Sequence, residues 1–166
     1  MKILILGHAN HGKDTVAKYL AQEFNLVNSS ATDYLATHFV FPVWGYKHYA
    51  NVHSMLEDKD NHRLKWASIV NQINRKDKLF LCKQVMFTSD IYSGMRNQKE
   101  YIQAVKENIF DYILFVSAGD RLPTENSMNI VYDSRYMHIV DNSLGLPNLR
   151  NNLKPIIKLM KENNNG

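Results

Sequence analysis

Cysteine occurs once in this chain, at Cys82. A single thiol excludes an internal disulfide framework and a thiolate zinc cluster, and it suits a reducing compartment. Long apolar runs are also lacking, and none approaches the length of a membrane span. Near the start, Gly7 and the charged pair Lys13-Asp14 interrupt the first apolar run too early for a secretory signal. No dense Lys/Arg block is interleaved with aromatics, which argues against nucleic-acid binding. The seven histidines, His8, His11, His38, His48, His53, His62 and His138, are scattered and form no metal-ligand spacing. There is no internal repeat. The one biased stretch is the polar tail Asn163–Gly166, which is expected to fray. What is present fits one globular domain: 166 residues, 45% of them apolar, with a mild charge of +4 that suits an anionic small molecule.

One stretch organises the rest. Gly7-His8-Ala9-Asn10-His11-Gly12-Lys13-Asp14-Thr15 follows the apolar run Lys2–Leu6 and precedes a segment with helical periodicity through Val16, Tyr19, Leu20 and Phe24. Strand, glycine loop and helix form the context of a phosphate-binding P-loop. Glycines let successive N–H groups turn inward toward phosphate oxygens, and the helix aims its positive end at the same anion. Residues 7–15 are therefore the expected ATP-binding loop, with Lys13 reaching the β- and γ-phosphates. The usual hydroxyl after the lysine is replaced by Asp14, with Thr15 next, so either side chain is a candidate for holding Mg²⁺.

Further along, Leu26-Val27 is expected as a short strand and Ala31–Phe41 as a helix. Ser30 and Asp33 stand at that helix's start, either as its N-terminal cap or against a second substrate. The aromatic stretch Pro42–Met55 reads either as the wall of a base pocket or as ordinary hydrophobic cover. A helix is expected to begin in the charged run Glu57–Arg63 and to end near Ile73. Charge at a helix start is usually a solvated terminus, but the guanidinium of Arg63 is suited to gripping a phosphate. Val85-Met86-Phe87 reads as the central strand, with Asp90 at its end as a Mg²⁺-binding carboxylate. Gly94 allows a tight turn from which Arg96 and Asn97 project, before a helix to about Asn108. Tyr112–Val116 and Met137–Val140 are the remaining strands, and Asn148–Lys161 the last helix. Between those strands runs a long polar loop carrying Arg121 and Arg135, long enough to be functional. Five strands separated mostly by helices predict a parallel α/β sheet covered on both faces.

Three pieces carry a resemblance: Gly12-Lys13-Asp14-Thr15-Val16-Ala17; Asp90-Ile91-Tyr92-Ser93-Gly94-Met95-Arg96-Asn97 with Glu100-Tyr101; and His138-Ile139-Val140-Asp141-Asn142-Ser143 before a Leu-rich helix. With them the chain resembles the deoxynucleoside monophosphate kinases known largely from bacteriophages, within the P-loop nucleoside and nucleotide kinases. The resemblance implies a three-layer α/β/α fold, adenylate-kinase-like with a five-stranded parallel sheet and a short lid. Within a single domain, residues 29–75 would be the helical acceptor-binding insertion and 117–136 the lid. It implies transfer of the γ-phosphoryl of ATP, with Mg²⁺, to the 5′-phosphate of a deoxynucleoside monophosphate. Lys13, Arg96 and Arg121 would be catalytic, with Arg121 also on ATP. Ser30, Asp33, Arg63, Asp90, Arg96, Asn97 and Glu100 would meet the acceptor. Asp14, Thr15 and Asp90 would serve the metal.

Two rival readings share the loop. One is a kinase of another phosphorylated metabolite. The other is a nucleotide-binding regulatory module, against which stands the misplaced lysine in Asn74-Arg75-Lys76-Asp77. Either way the expected partners are small nucleotides, with no nucleic acid and no membrane, a homodimer being left open. The expected location is the cytoplasm, that of the host if the source is viral.

Overall fold

Ile3–Leu6 forms β1, and all four of its side chains are fully buried. An uninterrupted apolar strand is what a parallel sheet covered on both faces requires. The computed structural model describes residues 1–164, in which β1 is joined by β2 (Ile91–Tyr92), β3 (Tyr112–Ser117) and β4 (His138–Asp141). Every pairing is parallel and the order is β2-β1-β3-β4. Helices α1 (Lys13–Phe24) and α8 (Leu146–Asn164) pack Val16, Leu20, Leu149, Leu153 and Met160 against Ile3, Ile5 and Val116. The opposite face receives α2 (Ala31–Leu35), α3 (Phe41–Val43), α4 (Val52–Glu57), α5 (Arg63–Ile73), α6 (Phe80–Met86) and α7 (Gln98–Lys106). There Leu35, Trp66, Leu81, Val85 and Tyr101 close over Leu4 and Leu6. Alternation along β1 thus sends successive side chains into two separate cores.

Several expectations are corrected. The sheet has four strands among the described residues, not five. Val85 and Met86 belong to α6, because Leu81, Cys82, Val85 and Met86 are buried at helical spacing. Leu26-Val27 is not a strand. Val27 does lie beside the start of β2, where its carbonyl accepts the Asp90 N–H at 2.7 Å and its N–H donates to Asp90 Oδ2 at 2.8 Å. The helix from Ala31 continues through a π-turn (Ala36–Val40) into α3, slightly longer than expected. Glu57 ends α4 rather than starting a helix. A 3₁₀ turn, Lys59–His62, then leads into α5 at Arg63. Asn163 and Asn164 are still helical, while the rest of the tail expected to fray, Asn165-Gly166, lies outside the described residues. No helix among the described residues is long and apolar enough to cross a membrane.

Since all strands run the same way, the loops leaving β1, β2, β3 and β4 emerge on one edge. The chain passes from β1 to β2 on one side and returns to β3 on the other. The crevice beyond the carboxyl end of β1 is therefore the switch point at which such sheets bind ligands.

Candidate functional site

Residues 7–12 link β1 to α1 in a conformation that only particular residues allow. Gly7 has φ +140°, and a Cβ there would stand 2.3 Å from the Val116 carbonyl oxygen. Gly12 has φ +104°, and a Cβ there would meet Asn142 Nδ2 at 2.7 Å. Asn10 takes the left-handed region as well, with φ 63°, a conformation that asparagine tolerates better than most side chains. The loop is clasped from the exits of β3 and β4. His11 is 2% exposed, and its Nδ1 accepts the Ala118 N–H at 3.0 Å. That bond leaves the proton on Nε2, which donates to the Pro123 carbonyl at 3.2 Å. Asn142 Nδ2 donates to the His11 carbonyl at 2.9 Å, and Asn142 N–H to the Ser117 carbonyl at 2.8 Å.

Lys13 opens α1, and its ammonium donates back to the His8 carbonyl at 2.6 Å. Burial first, and then the charge of Arg96, push it down to about 8. Lys59 is lowered too, again by burial first and then by Arg96. Lys59 Nζ is 3.4 Å from Thr32 Oγ1 and 5.3 Å above the Trp66 ring. Arg96 binds the Glu125 carboxylate and donates to Ser127 Oγ at 3.2 Å. Arg63 Nη1 lies 3.6 Å from Glu125 Oε2, while its other nitrogens hold Asp60 at 2.9 and 3.1 Å. Lys13, Lys59, Arg63 and Arg96 thus form one field of positive charge, drawn from four segments.

The loop after β3 lies across this field. The Glu125 N–H donates to His8 Nδ1 at 3.1 Å, and the Asn129 N–H to the Arg96 carbonyl at 3.0 Å. Burial lowers the His8 imidazole's proton affinity. Arg121 turns toward the other strand exit, donating to the Asn142 carbonyl at 3.0 and 3.3 Å. Arg135 is fully engaged by Asp133 on the surface. Two open hollows lie elsewhere, one along α8 beside Arg150 and Lys154, the other over α5 and α7 beside Asn74 and Asn129.

Other expected site residues divide. Asp14 sits in the first turn of α1, and its charge acts on Lys13 and Lys59. Ser30 and Asn97 act as caps: Ser30 Oγ accepts the Asp33 N–H at 3.1 Å, and Asn97 Oδ1 the Lys99 N–H at 2.8 Å. Asp33 lies in the first turn of α2. Glu100 accepts from Asn74 Nδ2 at 3.0 Å in the junction of α5, α6 and α7, where burial raises its proton affinity. Asp90 is a correction. It precedes β2 instead of ending a strand, and the pairing of Ile91 with Ile3 sets it at the amino edge. Five rungs separate that edge from Gly7, about 16 Å, so Asp90 does not fit a metal or acceptor at the loop. Among the described residues no three His, Cys, Asp or Glu side chains gather in a metal-holding group.

Lys59, Glu125, Asn142 and the side chains of His8 and His11 were missed from sequence. Lys59 was legible only as part of a charged run. Glu125 stood in a loop already marked by its length, as one of three acids there with Asp120 and Asp133. No family model and no curated protein matches this chain.

Proposed function

We propose that this chain is an ATP-dependent kinase acting on deoxynucleoside monophosphates, with residues 7–15 as a P-loop in an adenylate-kinase-like fold. The observation that carries the reading is the convergence of Lys13, Arg63 and Arg96 at the sheet's switch point. Arg63 and Arg96 lie 50 and 83 positions beyond Lys13 in sequence, and Lys13 feels the charge of Arg96 directly. A phosphoryl donor and a phosphorylated acceptor both need cations there, and the two must meet in line.

In this reading the loop N–H groups and Lys13 hold the donor's phosphates. Arg63 and Arg96 hold the acceptor's 5′-phosphate, one oxygen of which attacks the γ-phosphorus as the bond to the β-γ bridging oxygen breaks and ADP leaves. A phosphate oxygen is already nucleophilic, so no strong base is required, which agrees with a cluster rich in cations. Magnesium supplies charge neutralisation on the donor phosphates. Asp14 and Thr15, both in the first turn of α1, would hold it, since this ion commonly keeps water and phosphate ligands and needs only one or two protein oxygens. The loop 117–136 acts as a short lid that excludes water as a competing acceptor. Arg121, tied to the exit of β4, serves the ATP side.

The test is ADP release from ATP and Mg²⁺ across ribo- and deoxyribonucleoside monophosphates. Acceptor-dependent turnover is expected, falling at least about a hundredfold in Lys13→Ala. Clear ATP binding without turnover on any monophosphate would sink the nucleotide reading and leave another phosphorylated acceptor or a binding module.

A further inference from the structure

The field of cations already contains an anion, and it belongs to the chain itself. Glu125 is only 14% exposed at its side chain. One carboxylate oxygen is taken by Arg96, whereas Oε2 is buried with no hydrogen-bond partner. The nearest ion-pair contact to Oε2, Arg63 Nη1, stands at 3.6 Å, outside hydrogen-bond range. Lys59 is also short of polar partners, its ammonium making one long hydrogen bond of 3.4 Å to Thr32 Oγ1 beside its stacking on Trp66. A carboxylate has one charge and two coplanar oxygens. A phosphomonoester has up to two charges and three oxygens in a tetrahedral spread, and it matches this donor set better. The backbone of Glu125 is meanwhile docked on His8, within the glycine loop. The same residue therefore fills the cation cluster and covers the loop beside it.

We propose that Glu125 is an internal stand-in for the acceptor's phosphate, that Lys59 is the third cation of that seat beside Arg63 and Arg96, and that a phosphomonoester enters by displacing Glu125 and lifting the segment 122–128. This rests on the acceptor seat in the function proposed above, and it adds to it a self-occupying latch. The latch lowers apparent affinity by the fraction of molecules in which the seat is free. It also keeps the loop covered until an acceptor has arrived, which limits wasteful transfer to water.

The test uses inorganic phosphate as the probe, titrated by calorimetry in a chloride buffer into the full chain and into Glu125→Gln. Phosphate is expected to bind about tenfold more tightly to the variant, as for a latch closed in nine molecules of ten. Adding Lys59→Met or Arg63→Met to Glu125→Gln is expected to remove the gain. Equal or weaker binding in Glu125→Gln, or no binding to either protein, overturns the proposal. A gain that survives both double variants places the phosphate at Lys13 and overturns it as well. Should the variant not fold, hydrogen exchange of the unaltered chain decides. Saturating phosphate is expected to speed exchange at the amides of Glu125 and Met128, which bond to His8 Nδ1 and to the Glu125 carbonyl. Unchanged or slower exchange at both amides overturns the latch. Failure of the kinase reading shows separately, as absent ATP turnover with every monophosphate, and leaves the phosphate titrations readable.

Discussion

Lys13 carries a folding cost that its place in the site explains. Its proton affinity falls from the ordinary 10.5 to about 8 in the folded chain. Between those values the unfolded chain holds a proton that the folded chain has released, so stability rises with pH across that window. Below about pH 8 the cost is fully present. Lys13→Met is therefore expected to stabilise the protein at pH 7, on the order of 2 kcal/mol. The gain should fade toward pH 10.5, as read by urea denaturation at both ends, while any phosphoryl transfer is lost. His11 behaves in the opposite sense. Truncating it orphans the buried Ala118 N–H and releases Pro123. His11→Ala is expected to cost about 2–3 kcal/mol, visible as a lower denaturation midpoint and faster exchange at Ala118. At this scale the sequence told unevenly. Lys13 was readable because a lysine after a glycine loop has a local signature, and Arg63 and Arg96 because guanidinium suits phosphate. His11 and Asn142 were not, because His11 meets Ala118 and Asn142 from more than 100 positions away, and Glu125 was not, because nothing local in its loop signals Arg96 or the His8 ring.

Among elements, β1 with its loop and α1 was legible for a physical reason: the apolar run, the glycines and the helical period are all local. β2 was not. Two residues are too few to show alternation, and the apolar run at Val85-Met86-Phe87 offered a more persuasive strand. The polar pair Lys83-Gln84 just before that run, flanked by buried positions at helical spacing, was the overlooked sign of α6. Misplacing that strand is what put Asp90 at the wrong edge. The last helix was legible as a helix despite Pro155 in its interior. That proline cannot donate to the Asn151 carbonyl, and its exposed ring contributes no burial in exchange. Pro155→Ala is expected to stabilise the chain by about 1–2 kcal/mol once the proline's restriction of the unfolded chain is set against it. Thermal unfolding should read that as a rise of about 2–8 °C.

For the molecule as a whole, the sheet makes two cores interdependent, since β1 contributes Leu4 and Leu6 to one and Ile3 and Ile5 to the other. Neither core closes without β3, which pairs with all four residues of β1. A chain stopped after Asn108 is therefore expected to show no cooperative thermal transition by circular dichroism, although it retains seven of the helices that pack on the sheet. The pairing also has a temporal side. Ile3 meets Ile91 and Tyr112, partners 88 and 109 positions later. On a ribosome adding about 5–20 residues per second, β1 waits roughly 5–20 s for its second neighbour. For that interval a bare Ile-Leu-Ile-Leu strand sits next to an unclasped glycine loop, so the first segment of the chain to be made is among the last to become safe from aggregation.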